Sequence, residues 1–517
     1  MIAALLFSAL LAAASAPADE AAYPEPLRAF LAVKSKDGTP VLSAEDHKIL
    51  GQMTEHTRKL VSDAIDSQIL GSAQHLKILL ALELSPQSME IVAQDNCILC
   101  HSDPGNQKPQ ALFSADPAAQ KSNPLLNLKE FVSDVHFRRG LSCSGCHGGK
   151  PEADSMPTEI AKRWPAAEVR QKDRAWIPDF CARCHSDPSF MRTFNPSLPT
   201  DQLAKYRGSG HGIKLLQEKD SRAAQCVSCH GVHGIRNAKS RKSKVFVQRI
   251  PDTCGSCHAD PQQMAGYKLA DGSPLPTNQL ALYKASVHGK ALLEKGDLGA
   301  PACTGCHGSH AAMPPAAANV AQVCRTCHAQ NGILFDGSRH KKAFEQHGWP
   351  ECAQCHGSHQ IARPTDALIG DQPGTLCQDC HAKYSKDNQS CSTTAASFRS
   401  TLMALSAGRS EVSSQIEPLA EKGLDVEEIT RSVGELDEAL VQSRSRIHTF
   451  DQTSFMAAVV PGNEALSKSR TLIGEARVEH RFRTKGLLTA IGFMGLVAAG
   501  IALQLRRTER NRKSGDH

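Results

Sequence analysis

Nine Cys-x-x-Cys-His units lie between Cys97 and His381, and each has the residues that attach a c-type haem. Two thiols one short turn apart can form thioethers with both haem vinyl groups, and the adjoining histidine then lies over the iron. Its neutral imidazole becomes one axial ligand of that iron. The units use eighteen of the nineteen cysteines. The pattern therefore predicts nine covalently bound haem c groups.

We number the units sites 1 to 9 in chain order. The cysteines predicted to bind haem are Cys97 and Cys100, Cys143 and Cys146, Cys181 and Cys184, Cys226 and Cys229, Cys254 and Cys257, Cys303 and Cys306, Cys324 and Cys327, Cys352 and Cys355, and Cys377 and Cys380. The predicted proximal iron ligands are His101, His147, His185, His230, His258, His307, His328, His356 and His381.

Zinc ribbons and Cys-x-x-Cys redox sites also use paired thiols at this spacing. Neither needs a histidine directly after the second cysteine. Histidine is 23 of 517 residues, yet it fills that position in all nine units. The sequence therefore favours haem over zinc or a dithiol.

The composition agrees with a core built largely from haem. Aromatic residues make up 5% of the chain, which is few for conventional apolar cores, and nine porphyrins would supply apolar mass. The formal charge of +6 omits the cofactors, and each ferric bis-histidine haem with ionised propionates adds about −1. The holoprotein is then near neutral or slightly acidic, so we expect no nucleic-acid partner.

The elements that must position the sites include an internal repeat. LAKYRGSGHG at 203–212 matches LALYKASVHG at 280–289 with an offset of 77 residues, which also carries Cys226 onto Cys303. Degenerate copies are FDGSRHKKAF at 335–344 and FVSDVHF at 131–137. Three sites continue as His-Gly-x-His, where the last histidine lies too near its own proximal ligand to reach the far haem face. It can reach a neighbouring haem.

These repeats resemble the multihaem c-type cytochromes built from doubled Cys-x-x-Cys-His modules, which are similar in style to class III cytochromes. The resemblance covers about residues 97–381. In that family the Ser-x-His and His-Gly-x-His histidines are distal iron ligands. The resemblance thus implies a distal set of His136, His211, His233, His288, His310, His340 and His359. Two further ligands could come from His347, His448 or the N-terminal group His47, His56 and His75.

Two residues depart from the pattern. Site 2 is followed by Gly148, Gly149 and Lys150, with lysine where the family has a distal histidine. An iron left without a ligand by this change would be the candidate for an open coordination position. Cys391 is the odd cysteine, and it is predicted to be an inert linker thiol, with an intermolecular disulfide as the alternative.

The segments outside the haem region predict export and a membrane anchor. Residues 1–18 read as a signal peptide, and 19–90 as a helical segment in which Ser43 is a candidate helix cap. A haem domain at 91–390 precedes a helical stalk at 391–484, with a helix near 395–416, another after Asp425, and a break at Pro461. Residues 485–506 contain twenty uncharged residues, enough for one transmembrane helix. The basic tail at 507–517 is predicted to be cytoplasmic.

The expected fold class is therefore mainly α with much irregular chain. It would comprise a haem-stacked multihaem cytochrome c core, a helical stalk and a single C-terminal transmembrane helix. The haem domain would lie in the periplasm, anchored to a bacterial inner membrane.

The leading functional prediction is an electron carrier between a membrane quinol-oxidising or cytochrome-b-type donor and a periplasmic or extracellular acceptor. The alternative is a terminal reductase of a small oxyanion at one open haem. Candidate substrates are nitrite, hydroxylamine or a sulfur compound.

Overall fold

The computed structural model describes residues 23–66, 73–80, 128–141, 143–147, 174–269, 271–315, 319–384 and 389–513. The predicted signal peptide, all of site 1, Lys150 and the last four residues lie outside these ranges. The side chain of His75 is also outside the described part. The chain divides into two compact units, Met1–Ala281 with His288–Pro314, and Leu282–Val287 with Pro315–His517.

The described residues form helices and loops, without a named strand. Two isolated β-bridges join Lys34 to Pro40 and Lys268 to Pro274. The predicted class, mainly α with much irregular chain, is confirmed.

Four helices precede the haem sites in the first unit: α1 (Glu25–Leu31), α2 (Ala44–Gln52), α3 (Glu55–Asp66) and α4 (Ala73–Leu80). Ser43 caps α2 as predicted. Its side chain accepts a hydrogen bond from the Asp46 N–H, and the Asp46 carboxylate accepts one from the Ser43 N–H, which satisfies two free donors. Leu27, Leu50 and Leu76 are fully buried in one core, which also packs against Cys143 of site 2.

Short helices, most of them fewer than ten residues long, form the described part of the region that contains the haem sites. They are α5 (Leu128–Phe131), α6 (Cys143–His147), α7 (Trp176–His185), α8 (Pro188–Phe194), α9 (Gln202–Arg207), α10 (Gly210–Gly212), α11 (Cys226–His230), α12 (Ile250–His258), α13 (Gln279–Ala285), α14 (Val287–Gly289), α15 (Cys303–His307), α16 (Val320–Arg325), α17 (Ala329–Asp336), α18 (Arg339–His347), α19 (Glu351–His356) and α20 (Leu376–Tyr384). Single 3₁₀ turns lie at Phe137–Arg139, Val247–Arg249 and Asp366–Leu368, and π turns at Ile213–Gln217 and Lys290–Glu294.

The C-terminal helices form a three-helix bundle in the second unit: α21 (Gln389–Ser413), α23 (Glu427–Arg446) and α24 (Gln452–Lys513). A short helix, α22 (Ile416–Ala420), follows α21, and a 3₁₀ turn at Ile447–Thr449 joins α23 to α24. Leu402, Leu436 and Phe455 are each fully buried among these helices. We call this assembly the bundle.

The predicted helix break at Pro461 is wrong, because α24 continues through it. A proline inside a helix removes one backbone donor and costs about 3 kcal/mol. Buried packing on both sides offsets this cost, since Val459 is fully buried and Gly462 lies against Ala439. A Cβ added at Gly462 would be 3.2 Å from the Ala439 Cβ, so the glycine allows close approach of α23 and α24.

The end of α24 is long and apolar enough to cross a bilayer. Its most apolar window has a mean hydropathy of 2.1 and is not buried by the rest of the chain. Residues 486–505 are exposed throughout.

Candidate haem sites

Most described Cys-x-x-Cys-His units form one helical turn that ends at or near the histidine. In α11 and α15 the helix begins at the first cysteine and ends at the histidine. Residues three and four positions apart share one face of a helix. The two thiols and the imidazole of each unit therefore project to the same side. This is what one haem requires, since the thiols bond to its vinyl groups and the imidazole binds its iron.

Six of the proximal histidines lie opposite a second histidine. A metal–imidazole bond is about 2 Å long, so two rings that ligate one iron from opposite faces have centroids about 6 Å apart. The ring centroids are 5.8–6.2 Å apart in all six pairs. The residues present therefore fit a haem iron between each pair. The pairs are His136 with His185, His147 with His233, His211 with His258, His230 with His310, His340 with His381, and His356 with His448.

The six pairs fall into two classes by the angle between their rings. Pairs at sites 2, 4 and 8 are near parallel, with interplanar angles of 28°, 10° and 29°. Pairs at sites 3, 5 and 9 are steeply inclined, with angles of 82°, 53° and 68°. In the three doubled modules that these pairs represent, sites 2 and 3, sites 4 and 5, and sites 8 and 9, the first site thus has one ligand geometry and the second site has the other.

Burial keeps most of these imidazoles neutral, which is the form that binds iron. The pKa of His340 is lowered to about 4, mainly by burial and further by the neighbouring His381. Burial is also the main cause of the lowered pKa of His185, His211, His230, His233, His258, His310 and His356.

A glycine with positive φ follows the proximal histidine at each of the three His-Gly-x-His sites. Gly231 has φ 84° and ψ −170°, a conformation open almost exclusively to glycine, and Gly308 and Gly357 are similar. The turn sends His233 of site 4 to site 2, and His310 of site 6 to site 4. His233 and His310 therefore each face the first site of the preceding module.

A buried serine positions the Ser-x-His histidines. The Ser209 hydroxyl donates to the Tyr206 carbonyl at 2.7 Å and accepts from the Gly212 N–H at 3.0 Å, which caps the turn that bears His211. Ser286 and Ser338 repeat the hydroxyl-to-carbonyl bond at 2.6 Å. The sequence showed the serines as part of the repeat, but their capping role was missed.

Asp134 replaces this serine in the earliest copy of the repeat. One of its carboxylate oxygens accepts from the His136 backbone N–H at 2.8 Å and lies 3.0 Å from His136 Nδ1. The other accepts from the Ile235 N–H at 2.7 Å. A carboxylate on Nδ1 fixes the tautomer that leaves Nε2 free for a metal and makes the imidazole a stronger donor.

One backbone hydrogen bond recurs where the two kinds of distal candidate meet. The residue before a Ser-x-His-type histidine donates its N–H to the carbonyl two residues after a His-Gly-x-His histidine. The bonds are Val135 to Ile235 at 2.7 Å, Gly210 to Ala312 at 2.9 Å, and Val287 to Ile361 at 2.9 Å. Within the first unit, distal candidates for two different sites are therefore held together, His136 with His233 and His211 with His310.

Thiols of consecutive sites lie side by side. Hydrogen bonds join Cys181 to Cys226, Cys254 to Cys303, and Cys352 to Cys324, and each raises the pKa of the first thiol named in its pair. Burial and a neighbouring thiol also raise the pKa of Cys146 beside Cys184, of Cys229 beside Cys257, and of Cys355 beside Cys380. Sites 2 to 6 of the first unit and sites 7 to 9 of the second thus follow chain order in space.

An ion-pair cluster reinforces the contact between sites 7 and 8. Arg325, inside site 7, bonds to Glu351 at 2.9 Å and to Asp336 at 2.6 Å. Lys341 also bonds to Glu351, at 2.5 Å. Arg325 and Glu351 are exposed by 14% and 11%, so this pair is screened by water less than a surface pair.

Other predicted residues lie elsewhere. His347 stacks on Trp349 with ring centroids 4.4 Å apart, and His448 lies opposite His356. Distal roles for His288 and His359 remain predictions by repeat. In the N-terminal group, His47 is half-buried and His56 is exposed. Burial, with Cys377 and Cys380 nearby, raises the pKa of Cys391 to about 11.

Comparison with known families finds the doubled CXXCH motif in two places, residues 219–263 and 344–386. The first match contains sites 4 and 5 and the second contains sites 8 and 9. No curated protein and no solved structure was found to match the chain. The doubled motif indicates covalently bound haem c.

Proposed function

We propose that this chain, a multihaem c-type cytochrome, carries electrons through nine haem c groups without bond chemistry at any of them. The carrying observation is the set of six histidine pairs with ring centroids 5.8–6.2 Å apart. A second histidine on each of these six irons would leave no position there for a substrate, and the proposal extends this ligation to the other three. Haem c supplies one-electron transfer when bound, and ligation, burial and hydrogen bonding set its potential.

The chain's own residues hold consecutive haems close together. The cysteines of consecutive sites lie close enough for their thiols to be hydrogen-bonded. Once these thiols are converted to thioethers, the same positions would place neighbouring porphyrin edges side by side. Electrons would then pass from site to site in chain order within each unit. The charge of Asp134 beside His136 would favour the ferric state at site 3, because it strengthens that ligand.

The haem region lies in the periplasm in this proposal, and α24 anchors the protein in a bacterial inner membrane. Attachment of haem to nine sites requires export, and the Arg- and Lys-rich tail after residue 505 favours a cytoplasmic C-terminus. The electron donor is a membrane quinol-oxidising or cytochrome-b-type protein. The acceptor is a periplasmic or extracellular redox partner in a respiratory chain.

A second candidate function is reduction of a small oxyanion at one open haem. The observation that favours it is Lys150, which stands where a His-Gly-x-His histidine would follow site 2. Site 2 itself has His233 opposite His147, so any open iron would lie elsewhere.

Anaerobic reoxidation distinguishes the two functions. We expect the dithionite-reduced holoprotein, in detergent, to be reoxidised on mixing with an oxidised soluble c-type cytochrome. Nitrite, hydroxylamine and sulfite should leave its haem absorption in the reduced form, because no iron has a free position. Stoichiometric consumption of one of these compounds, with reoxidation of the haems, would contradict the proposal and favour the reductase.

A further inference from the structure

We propose that His448, in the turn between α23 and α24, is the second axial ligand of the iron at site 8. This inference rests on the proposed binding of haem c at that site. It assigns an iron ligand to the C-terminal bundle, outside the region that contains the Cys-x-x-Cys-His units.

The ring geometry of His448 matches that of the other paired histidines. Its ring centroid is 6.2 Å from that of His356, and the two planes are inclined by 29°. This places site 8 in the near-parallel class with sites 2 and 4, whose second histidines belong to His-Gly-x-His motifs. Site 8 is the first site of its module, as sites 2 and 4 are of theirs.

The hydrogen bonding of His448 leaves the correct nitrogen free. Its Nδ1 lies 2.9 Å from the Ser445 carbonyl oxygen, which can only accept, so Nδ1 carries the proton and donates it. Nε2 is then unprotonated and available to iron. In metal-binding histidines, a hydrogen bond from the ring nitrogen that does not bind the metal fixes both the tautomer and the ring orientation.

Phe450, two positions after His448, also contacts a distal candidate of another site, here through its ring. Ile235 and Ala312 lie two residues after His-Gly-x-His histidines and contact the turn that bears a Ser-x-His-type histidine. Phe450 has the corresponding position after His448, and its ring centroid is 3.8 Å from that of His340, the histidine opposite His381. One turn thus contributes to the distal side of both site 8 and site 9.

Phe450 holds a backbone conformation that supports this role. Its φ of 51° lies in the left-handed region, which is unfavourable for an aromatic residue. Packing against Phe335 and His340 accompanies this strain. Phe450 follows the last residue of the 3₁₀ turn, Thr449, and α24 begins two residues later at Gln452.

His448→Ala in the full-length holoprotein tests this ligand, with His347→Ala as the matched control. We expect His448→Ala to convert one near-parallel low-spin ferric signal into a high-spin signal in the EPR spectrum. One equivalent of CO should bind after reduction. His347→Ala should leave both readouts at the wild-type values, because its ring stacks on Trp349. An all-low-spin His448→Ala protein, or one that binds no more CO than the wild type, would overturn the assignment.

His448→Met provides a test that keeps the site ligated if the alanine variant does not fold. Methionine is a haem ligand that raises the potential relative to histidine. We expect one haem to remain low-spin with a raised potential, and an unchanged set of potentials would overturn the assignment. Haem content of the wild-type protein separates the two proposals. Fewer than nine haems, with site 8 shown to lack haem by peptide mass, would refute the proposed function. If site 8 contains haem and neither variant changes its EPR signal, CO binding or potential, this inference alone is refuted.

Discussion

Ending the chain at Arg483 is expected to move the protein from the membrane fraction to the soluble fraction. Residues 486–505 lack charge, lie at the exposed end of α24, and contribute nothing to the bundle core, which ends at Ala476. A helix of about twenty uncharged and mostly apolar residues matches the hydrocarbon thickness of a bilayer. The truncated protein should keep the haem absorption and EPR spectra of the full chain.

A chain that ends at Leu505 is the matched control, because it loses the basic tail and keeps the apolar segment. It should stay in the membrane fraction and require detergent for extraction. Truncated protein that still sediments with membranes at high salt would show that another part of the chain anchors it.

In the proposed membrane orientation, the bundle would also separate site 8 from the bilayer. The part of α24 from Gln452 to residue 485 is about 50 Å long at 1.5 Å per residue. His448 directly precedes this helix, at the end away from the apolar segment. If α24 anchors the chain as proposed, a donor to site 8 would present its redox centre in the water phase, and membrane quinol would not be oxidised directly there.

Phe455→Ala is expected to lower the free energy of unfolding of the bundle by about 3–5 kcal/mol, since a fully buried aromatic side chain leaves a cavity. Phe455 has 0% exposure, and its ring centroid is 4.4 Å from that of Phe398. The loss should appear as a lower guanidinium midpoint for helical circular dichroism of the full-length protein in detergent. Because His448 lies in the adjacent turn, the low-spin signal of site 8 should be lost at the same midpoint.

Met456→Ala is the matched control on the next residue, where 38% of the side chain is exposed. It should change the unfolding free energy by less than about 1 kcal/mol, as partly exposed positions leave little cavity. Equal midpoints for the two variants would show that the bundle core does not limit the stability of this region.

Local patterns predicted the elements that depend on nearby residues. Ser43 caps its helix, and Ile429, Val433, Leu436 and Leu440 form the buried face of α23 as their spacing indicates. The sequence from Asp425 to Glu428 resembles a capping box with Asp425 as the cap. Asp425 accepts a hydrogen bond from the Glu427 N–H at 2.9 Å, and the helix begins one residue later than such a box requires.

Features that depend on tertiary contacts could not be predicted from local sequence patterns. Pro461 predicts a helix end because the backbone hydrogen bond that a proline removes is a local property. The contact of Gly462 with Ala439, which helps to offset that loss, involves another helix and has no local pattern. His448 lacks any motif around it, since its partner His356 is 92 residues away in sequence and its turn forms only where α23 meets α24. The order of sites in space likewise followed from thiol contacts between separate units of the repeat.

Low-temperature EPR of the fully oxidised holoprotein, with haem content and CO binding measured alongside, tests the central claim most directly. Axial imidazole planes that are near parallel separate the energies of two iron d orbitals, whereas steeply inclined planes leave them close and move the low-spin signal to higher g values. The account predicts nine haems, all low-spin, in both signal classes, and no change with CO. A high-spin signal or a CO-binding haem in the wild-type protein would contradict it.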